Sequence, residues 1–228
     1  LYAGCLDRPA PAFPALGLVV SGGHTAISLC DSPTRIRRLG STIDDAAGEA
    51  FDKAAAILGL PHPGGPNVDA QSRTGDPRAL DLPMSRLGPD SLDFSFSGLK
   101  TALLYAVRGV PSHRGRPGTP PKGVSVPDAC ASFQRAVVDA IALKLNRAFD
   151  QHPGCRTLLV GGGVIANSAL RASLTRLANE RSLDLRLPPL ALCVDNAAMI
   201  AGLGYQLLEA RAWASDPLSL SATPTVSV

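Results

Sequence analysis

The sequence is poor in aromatic residues and has no long uninterrupted hydrophobic run. Only 4% of its 228 residues are Phe, Trp or Tyr, although hydrophobic residues as a whole make up 45%. The core must therefore be built mainly from Ala, Val, Leu and Gly, which suits tightly packed layers of helix on sheet. The most apolar late stretch, residues 187–208, is interrupted by two prolines, Asp195 and Asn196. We therefore expect no membrane span and no membrane partner.

The cysteines are few and scattered. Five occur along the chain, none of them in a C-x-x-C pair. An odd and dispersed set argues against a disulfide framework and against a structural zinc site, and it favours free thiols in a reducing cytoplasm. The chain opens without a charged-then-apolar leader. Because it begins at Leu1 rather than at Met, we expect a fragment of a longer protein.

The distribution of charge along the chain is more informative than the net charge. The net charge of +3 is too small to indicate nucleic-acid binding by itself. Residues 94–127, however, contain no acidic side chain, and they hold five basic ones: Lys100, Arg108, Arg114, Arg116 and Lys122. Such a run could meet phosphates, or it could be a solvated basic loop, and the sequence leaves both open.

Residues 43–53, IDDAAGEAFDK, carry four carboxylates and one Lys. On a helix, Asp45, Glu49 and Asp52 would share one face, because they are spaced by four and three residues. Like charges that close repel each other. The segment therefore predicts a site at which a metal, ligand hydroxyls or Lys53 neutralises them, and the alternative is a chance acidic stripe on a surface helix.

The order of predicted elements indicates an α/β protein. Apolar runs predict strands at 16–20, 25–30, 36–39, 157–160 and 183–187, and periodic segments predict helices at 45–58, 67–73, 97–107, 127–150, 167–181 and 195–210. Two glycine turns, at 22–23 and 161–163, follow strands, and glycine lets backbone N–H groups approach a phosphate closely. Neither turn matches a standard nucleotide motif, so each turn taken separately favours a structural role, with phosphate binding as the alternative.

Six segments become specific when they are taken together: VVSGGHT (19–25), IDDAAGEAFDK (43–53), HPGGP (62–66), DFSFSGLKT (93–101), GGGVIAN (161–167) and CVDNAAMIA (193–201). In this order they closely resemble the bacterial TsaD family, the tRNA adenosine threonylcarbamoyltransferases once described as O-sialoglycoprotein endopeptidases. The resemblance covers residues 1 to about 210. It implies an actin-like, Hsp70-like (ASKHA) nucleotide-binding fold of two lobes. It also implies transfer of threonylcarbamoyl from threonylcarbamoyl-AMP to N6 of the adenosine beside the anticodon of tRNAs that read ANN codons.

The resemblance carries family roles to particular positions. It implies substrate binding by nine residues: Val19, Val20, Ser21, Gly22, Gly23, Asp52, Gly65, Asp69 and Asn167. Asp52 would suit ribose hydroxyls, with a surface charge as the alternative, and Asn167 could contact the nucleotide and also cap a helix. Asp195 matches a metal-binding Asp, with a helix cap as the alternative. His24 is expected to be structural, and no side chain is assigned as catalytic.

The resemblance also implies cofactors and partners. We expect one divalent metal ion per subunit, with iron favoured over zinc or magnesium. The expected partners are tRNA, threonylcarbamoyl-AMP, a paralogous TsaB-type subunit and a TsaE-type ATPase. The family's His-x-x-x-His metal motif would immediately precede Leu1, and an early acidic nucleotide loop is missing as well. We therefore expect the N-terminal lobe to be incomplete and this polypeptide to be inactive by itself.

The predicted organisation has four parts. Residues 1–110 would be the remainder of the N-terminal lobe with the substrate-contacting region, 111–127 a basic loop rich in Pro and Gly, 128–214 a C-terminal α/β lobe, and 215–228 a loose tail. The reaction would proceed by positioning and electrostatics, since no Ser-His-Asp or Cys-His arrangement is evident. The alternatives are a non-catalytic scaffold paralogue, a metabolite kinase of the same fold, and a metalloprotease, for which no H-E-x-x-H motif is present.

Overall fold

A computed structural model describes residues 1–85, 87–109, 123–212, 216–219 and 221. These residues form five strands: β1 (Ala15–Val20), β2 (Thr25–Cys30), β3 (Ile36–Ser41), β4 (Thr157–Gly161) and β5 (Asp184–Arg186). The strands make one mixed sheet in the order β3-β2-β1-β4-β5. β2 runs antiparallel to both β1 and β3, whereas β4 runs parallel to β1 and β5.

Helices connect and cover the strands. They are α1 (Ala47–Leu58), α2 (Gly64–Ser72), α3 (Ser97–Arg108), α4 (Val126–Gln151), α5 (Ser168–Arg181) and α6 (Ala197–Glu209). Short 3-10 turns add Tyr2–Gly4, Gly163–Ala166, Leu190–Leu192 and Pro217–Ser219. Within the ranges given above, no helix is both long enough and apolar enough to cross a bilayer. Even the longest one, α4, carries charged residues along its length.

Successive residues of the strands face opposite sides of the sheet, and the two sides are packed unequally. Leu16 and Leu18 of β1 belong to the main core, which also holds Phe51 of α1 and Phe133 of α4. The rings of Phe51 and Phe133 meet edge to face, with centroids 5.7 Å apart. Ala15 points to the other side, into a small second cluster. The helical layer on one side thus provides most of the buried apolar surface.

Contacts from distant segments set the starts of two helices. The sequence predicted a helix from Asp45, and this start was wrong by two residues, since α1 begins at Ala47. The Ala47 N–H donates a hydrogen bond to the buried hydroxyl of Thr25 at 2.9 Å, and this contact fixes the start of the helix. The prediction that Asn67 caps a helix was also wrong, since α2 begins at Gly64. Asn67 lies inside α2, and its amide donates back to the Pro63 carbonyl at 2.9 Å.

The sheet extends across the boundary predicted at residues 111–127. β1, β2 and β3 come from the part before it, β4 and β5 come from the part after it, and β1 pairs with β4 in register. The strands on both sides therefore belong to one sheet. Residue 110, residues 111–122 of the basic loop and most of the tail lie outside the described residues. The four-part division of the chain stays a prediction.

Candidate functional site

The two glycine turns lie next to each other at the carboxyl ends of β1 and β4. Because β1 and β4 are parallel neighbours, the turns that follow them leave the sheet side by side. Gly162 has φ +100°, in the region that favours glycine, and a Cβ on it would overlap the carbonyl group of Val20. Only glycine allows this approach of β4 to β1. The adjacent turns create the floor of a candidate site.

The turn after β1 is held by hydrogen bonds between Ser21 and His24. The Ser21 N–H donates to the His24 carbonyl at 2.7 Å, and the His24 N–H donates to Ser21 Oγ at 3.0 Å. Gly22 and Gly23 between them are exposed, and a Cβ on either would meet nothing within 4 Å. The turn thus presents open glycine backbone, while Ser21 and His24 maintain its shape.

A cavity of about 350 Å³ opens above these turns. Five of the nine predicted substrate-binding residues line it: Gly22, Asp52, Gly65, Asp69 and Asn167. The rest of the lining is Gly48, Phe51, Pro63, Pro66, Arg73, Gly163, Val164 and Ala166. Val19, Val20, Ser21 and Gly23 are not in this lining, and Val20 is fully buried in the core. The structure therefore joins residues from four separate segments in a single cleft.

A second cavity, of about 440 Å³, lies on the opposite face of the sheet, against the first residues of the chain and α6. It is larger, but it contains none of the predicted site residues, and among its described lining residues Arg8 is the only charged side chain. The smaller cavity brings together Asp52, Asp69, Arg73 and Asn167. Ligand sites combine apolar walls with a few convergent polar groups, so the smaller cavity is the better candidate.

Asp52 joins α1 to the start of α2. Its Oδ1 accepts a hydrogen bond from the Gly64 N–H at 2.7 Å, and His62 Nδ1 lies 3.8 Å from the same oxygen. The side chain is 44% exposed. One carboxylate oxygen of Asp52 therefore accepts the first N–H of α2, and the side chain also lines the cavity.

Asp69 and Asn167 are nearly buried, and both organise the beginning of α5. Asp69 Oδ1 accepts hydrogen bonds from the Ser168 hydroxyl at 2.6 Å and the Ser168 N–H at 3.2 Å. Asn167 Oδ1 accepts from the Leu170 N–H at 2.9 Å, so Asn167 is the N-cap of α5. Its amide donates to Gln134 Oε1 at 2.6 Å. These bonds hold both side chains rigidly at the cavity wall.

The acidic segment 43–53 does not present one acidic face. Asp45 precedes α1, and Lys53 Nζ donates to Asp45 Oδ1 at 2.6 Å and to Glu49 Oε1 at 2.8 Å. The hydrogen bonds with Asp45 and then with Glu49 raise the pKa of the Lys53 ammonium group. Lys53 thus neutralises two of the carboxylates, and Asp52 is the one that reaches the cavity.

The fourth carboxylate, Asp44, caps a different helix. Its two oxygens accept hydrogen bonds from the hydroxyls of Ser95 and Ser97 and from the N–H groups of Phe96 and Ser97, at 2.6 to 3.3 Å. Burial by itself would raise the pKa of Asp44, but these hydrogen bonds outweigh it and lower the pKa. Asp44 therefore supplies the cap that α3 lacks from its own first residues.

Asp195 is exposed just before α6 and is not its cap. The cap is Asn196, whose Oδ1 accepts from the Met199 N–H at 3.0 Å, so the helix-cap alternative for Asp195 was wrong. The preceding residue, Val194, lies 3.9 Å from the position that a Cβ on Gly163 would take, and Gly163 lines the cavity, whereas Asp195 is not in its lining. In the part of the chain that the structure describes, no group of three His, Cys, Asp or Glu side chains could hold a metal ion. By itself, Asp195 offers a single ligand.

Sequence reasoning did not single out Phe51, Arg73 or Gln134. Phe51 and Arg73 line the cavity, and Gln134 orients Asn167 from α4. For Arg73 a signal was present, since Gly65, Asp69 and Arg73 follow one another at four-residue intervals and so share one face of α2. For Gln134 there was none, because its contact spans 33 residues of sequence.

The sequence matches a known family. The model of the family "TsaD: tRNA N6-adenosine threonylcarbamoyltransferase" matches residues 1–202. The chain belongs to the TsaD family. The enzyme of that name from Pelobacter propionicus is 48% identical over 99% of this chain. The one from Trichlorobacter lovleyi is 46% identical over 99%, and the one from Moorella thermoacetica is 45% identical over 98%.

The chain covers only part of the length of these relatives. The chain spans 63% of the length of each of these three TsaD proteins. It is also similar to a solved structure, full-length HypF in its phosphate- and nucleotide-bound form, with a TM-score of 0.66 and 13% sequence identity. That likeness covers 93% of this chain and 36% of HypF. It shows the fold, and it confirms the predicted α/β, actin-like class.

Proposed function

We propose that this TsaD-family protein transfers the threonylcarbamoyl group of threonylcarbamoyl-AMP to N6 of the adenosine beside the anticodon of tRNAs that read ANN codons. The observation that carries the proposal is the cleft in which two glycine turns meet Asp52 and Asn167. Such a cleft suits an adenylate, since it offers open backbone to an anion and a carboxylate to hydroxyl groups. The likeness to HypF, whose solved form holds nucleotide and phosphate, agrees with a nucleotide ligand.

The residues of the cleft would act mainly by positioning. The exposed glycine turn at Gly22 and Gly23 would place backbone N–H groups near the phosphate or the acyl oxygen, where negative charge develops. Asp52 would accept hydrogen bonds from ribose hydroxyls. A mixed anhydride already has a good leaving group, so holding it in line with N6 supplies much of the required acceleration.

Asp195 is proposed as one ligand of a divalent metal ion, and the family resemblance favours iron over zinc or magnesium. Asp195 is exposed, and its neighbour Val194 approaches Gly163 of the cavity lining, which supports this role. Protein metal sites generally need three or more ligands, so the other ligands would come from outside the described residues. A bound ion would supply Lewis-acid polarisation of a carbonyl or phosphoryl oxygen.

The proposed partners are tRNA, threonylcarbamoyl-AMP, a TsaB-type subunit and a TsaE-type ATPase. Lys100 and Arg108 lie on α3, within the stretch that contains no acidic residue, and such a surface suits a polyanion. A cytoplasmic location follows from a tRNA substrate. It agrees with the five free cysteines, which are four buried thiols and the half-buried Cys5.

The proposal is tested by supplying synthetic threonylcarbamoyl-AMP and a tRNA transcript to two purified proteins, with and without the two partner proteins: residues 1–228 alone, and residues 1–228 preceded by the N-terminal segment of one of the longer relatives. We expect modified adenosine from the longer protein, detected by mass spectrometry of digested tRNA, none from residues 1–228 alone, and none on a transcript with guanosine at the target position. Cleavage of a glycoprotein or phosphorylation of a metabolite in place of tRNA modification would overturn the proposal in favour of the protease or kinase alternative. Failure of the longer protein under every combination of partners would favour the scaffold alternative.

A further inference from the structure

α4 carries three buried polar side chains among its apolar residues: Ser132, Gln134 and Lys144. Burial of a polar group is unfavourable unless the group forms hydrogen bonds, and each of the three bonds a segment that is distant in sequence. Ser132, for example, accepts from the Leu80 N–H at 3.0 Å, away from the cavity. Gln134 differs from the other two because its partner, Asn167, lines the candidate ligand cavity.

The side-chain amide of Asn167 is held at both ends. Its Oδ1 accepts from the Leu170 N–H at 2.9 Å, as the N-cap of α5. Its Nδ2 donates to Gln134 Oε1 at 2.6 Å. A flip of the amide would place a donor against the Leu170 N–H and an acceptor against Gln134 Oε1, and both hydrogen bonds would be lost. The amide therefore keeps a single orientation.

This orientation leaves one donor of Asn167 for a ligand. The amide nitrogen carries two hydrogens, and the contact with Gln134 uses one of them. Within the described part of the chain, no other group accepts the second hydrogen. Asn167 is 8% exposed and lines the cavity, so its remaining N–H can reach an occupant. A donor at this wall suits an acceptor atom of a nucleotide.

Gln134 is itself fixed by packing. It is 6% exposed, and its neighbour Phe133 is fully buried against Phe51 of the cavity lining. A side chain packed in this way has little rotamer freedom, so its Oε1 stays beside Asn167. The described lining of the cavity does not include Gln134. An effect of Gln134 on a ligand would therefore pass through Asn167.

We infer that Gln134 is a positioning residue, which fixes the amide of Asn167 so that one N–H donor is available to the adenylate. The inference rests on the proposed function, because it takes an adenylate as the occupant of the cleft. The structural alternative is that the hydrogen bond only satisfies two buried polar groups and joins α4 to α5, with no effect on the ligand.

Calorimetric titration with AMP separates these two roles, in residues 1–228 preceded by the N-terminal segment of a longer relative. Gln134→Met preserves the length of the side chain and removes the acceptor. We expect it to weaken AMP binding about 2- to 10-fold, the range for one net hydrogen bond. Gln134→Glu keeps an acceptor oxygen and should recover part of the affinity. Ser132→Ala, the matched control, removes a buried hydrogen bond of α4 outside the cavity and should leave AMP affinity unchanged.

A double-mutant cycle tests whether Gln134 acts through Asn167. Asn167→Ser removes the amide, while its hydroxyl can still cap α5. In this background we expect Gln134→Met to cause no further loss of AMP affinity, because the group that Gln134 positions is gone. The same loss with and without the Asn167 amide would overturn the inference.

The remaining outcomes are also decisive. An unchanged AMP affinity in Gln134→Met, or an equal loss in Ser132→Ala, would overturn the role of Gln134 and leave the proposed function intact. If the unsubstituted protein binds no AMP, the proposed function fails and the inference fails with it. Thermal unfolding of each variant checks that it is folded at the temperature of the titration.

Discussion

The Gly48 N–H donates to the Ser21 carbonyl oxygen at 3.2 Å, and a Cβ on Gly48 would stand 2.7 Å from that same oxygen. The second residue of α1 thus packs directly on the backbone of the glycine turn after β1. No side chain fits between the two elements. This contact explains a glycine inside a helix, where it would otherwise be unfavourable. It also couples α1, and with it Asp52, to the turn that lines the cavity.

Gly48→Ala should therefore displace the turn or α1. We expect a loss of about 1–3 kcal/mol in the free energy of unfolding, typical of overpacking, and weaker AMP binding. Gly204→Ala is the matched control, because a Cβ there meets nothing within 4 Å and lies inside α6. It should stabilise the protein by about 0.5–1 kcal/mol. Urea unfolding of both variants measures the difference, and equal stability of the two would show that the contact at Gly48 is relaxed.

Asp44 should stabilise the fold in a pH-dependent way. Asp44→Asn removes the charge that accepts hydrogen bonds from Ser95 and Ser97, and caps of this type contribute about 0.5–2 kcal/mol. The pKa of Asp44 is lower in the folded state, so its contribution is complete above the unfolded pKa near 4 and is lost as the pH falls through the folded pKa.

Chemical denaturation of wild type and Asp44→Asn at a series of pH values measures this effect. The gap in unfolding free energy should be constant from pH 7 to about 5 and close below about pH 4. Asp81→Asn, at an exposed position, should show no such gap. A gap that persists unchanged at low pH would contradict an ionised cap on α3.

Cys130 should be chemically inert in the folded protein. It is fully buried in α4, and burial raises the pKa of its thiol to about 11. At pH 8 only about one thiol in a thousand would be ionised, and the thiolate is the reactive form. We expect iodoacetamide to label the half-buried Cys5 first and Cys130 only after unfolding in urea, as read by peptide mass spectrometry. Labelling of native Cys130 at the rate of Cys5 would disprove this packing.

Asp52→Asn should weaken ligands that carry ribose hydroxyls. The amide oxygen can still accept from the Gly64 N–H, so the start of α2 should persist while the charge is lost. We expect a 10- to 100-fold loss in affinity for adenosine and a much smaller loss for 2′,3′-dideoxyadenosine. Glu49→Gln, on the same helix but outside the cavity lining, is the control. Similar losses of affinity for both ligands would show that the role of Asp52 is purely structural.

Much of the fold followed from local patterns. The predicted limits of β2 and the predicted positions of the two glycine turns agree with the structure. Both predictions depend on patterns of apolar residues or glycines that span only a few residues. The starts of α1 and α2 were not, because Thr25 and Asp52 determine them from other elements. The metal role of Asp195 and the ligand roles of the cavity residues stay predictions.

The sequence by itself determined the α/β class, the family and the residue types of the site, since these depend on motifs whose members are close in the chain. Only the tertiary structure decided what each carboxylate of residues 43–53 does. Asp44 meets Ser97 across 53 residues of sequence, Asp52 meets Gly64 across 12, and Asp45 is neutralised by Lys53. The four side chains share the same local chemistry. Their roles differ because packing brings them different partners: Asp45 and Glu49 share Lys53, whereas Asp44 and Asp52 accept hydrogen bonds at the starts of α3 and α2.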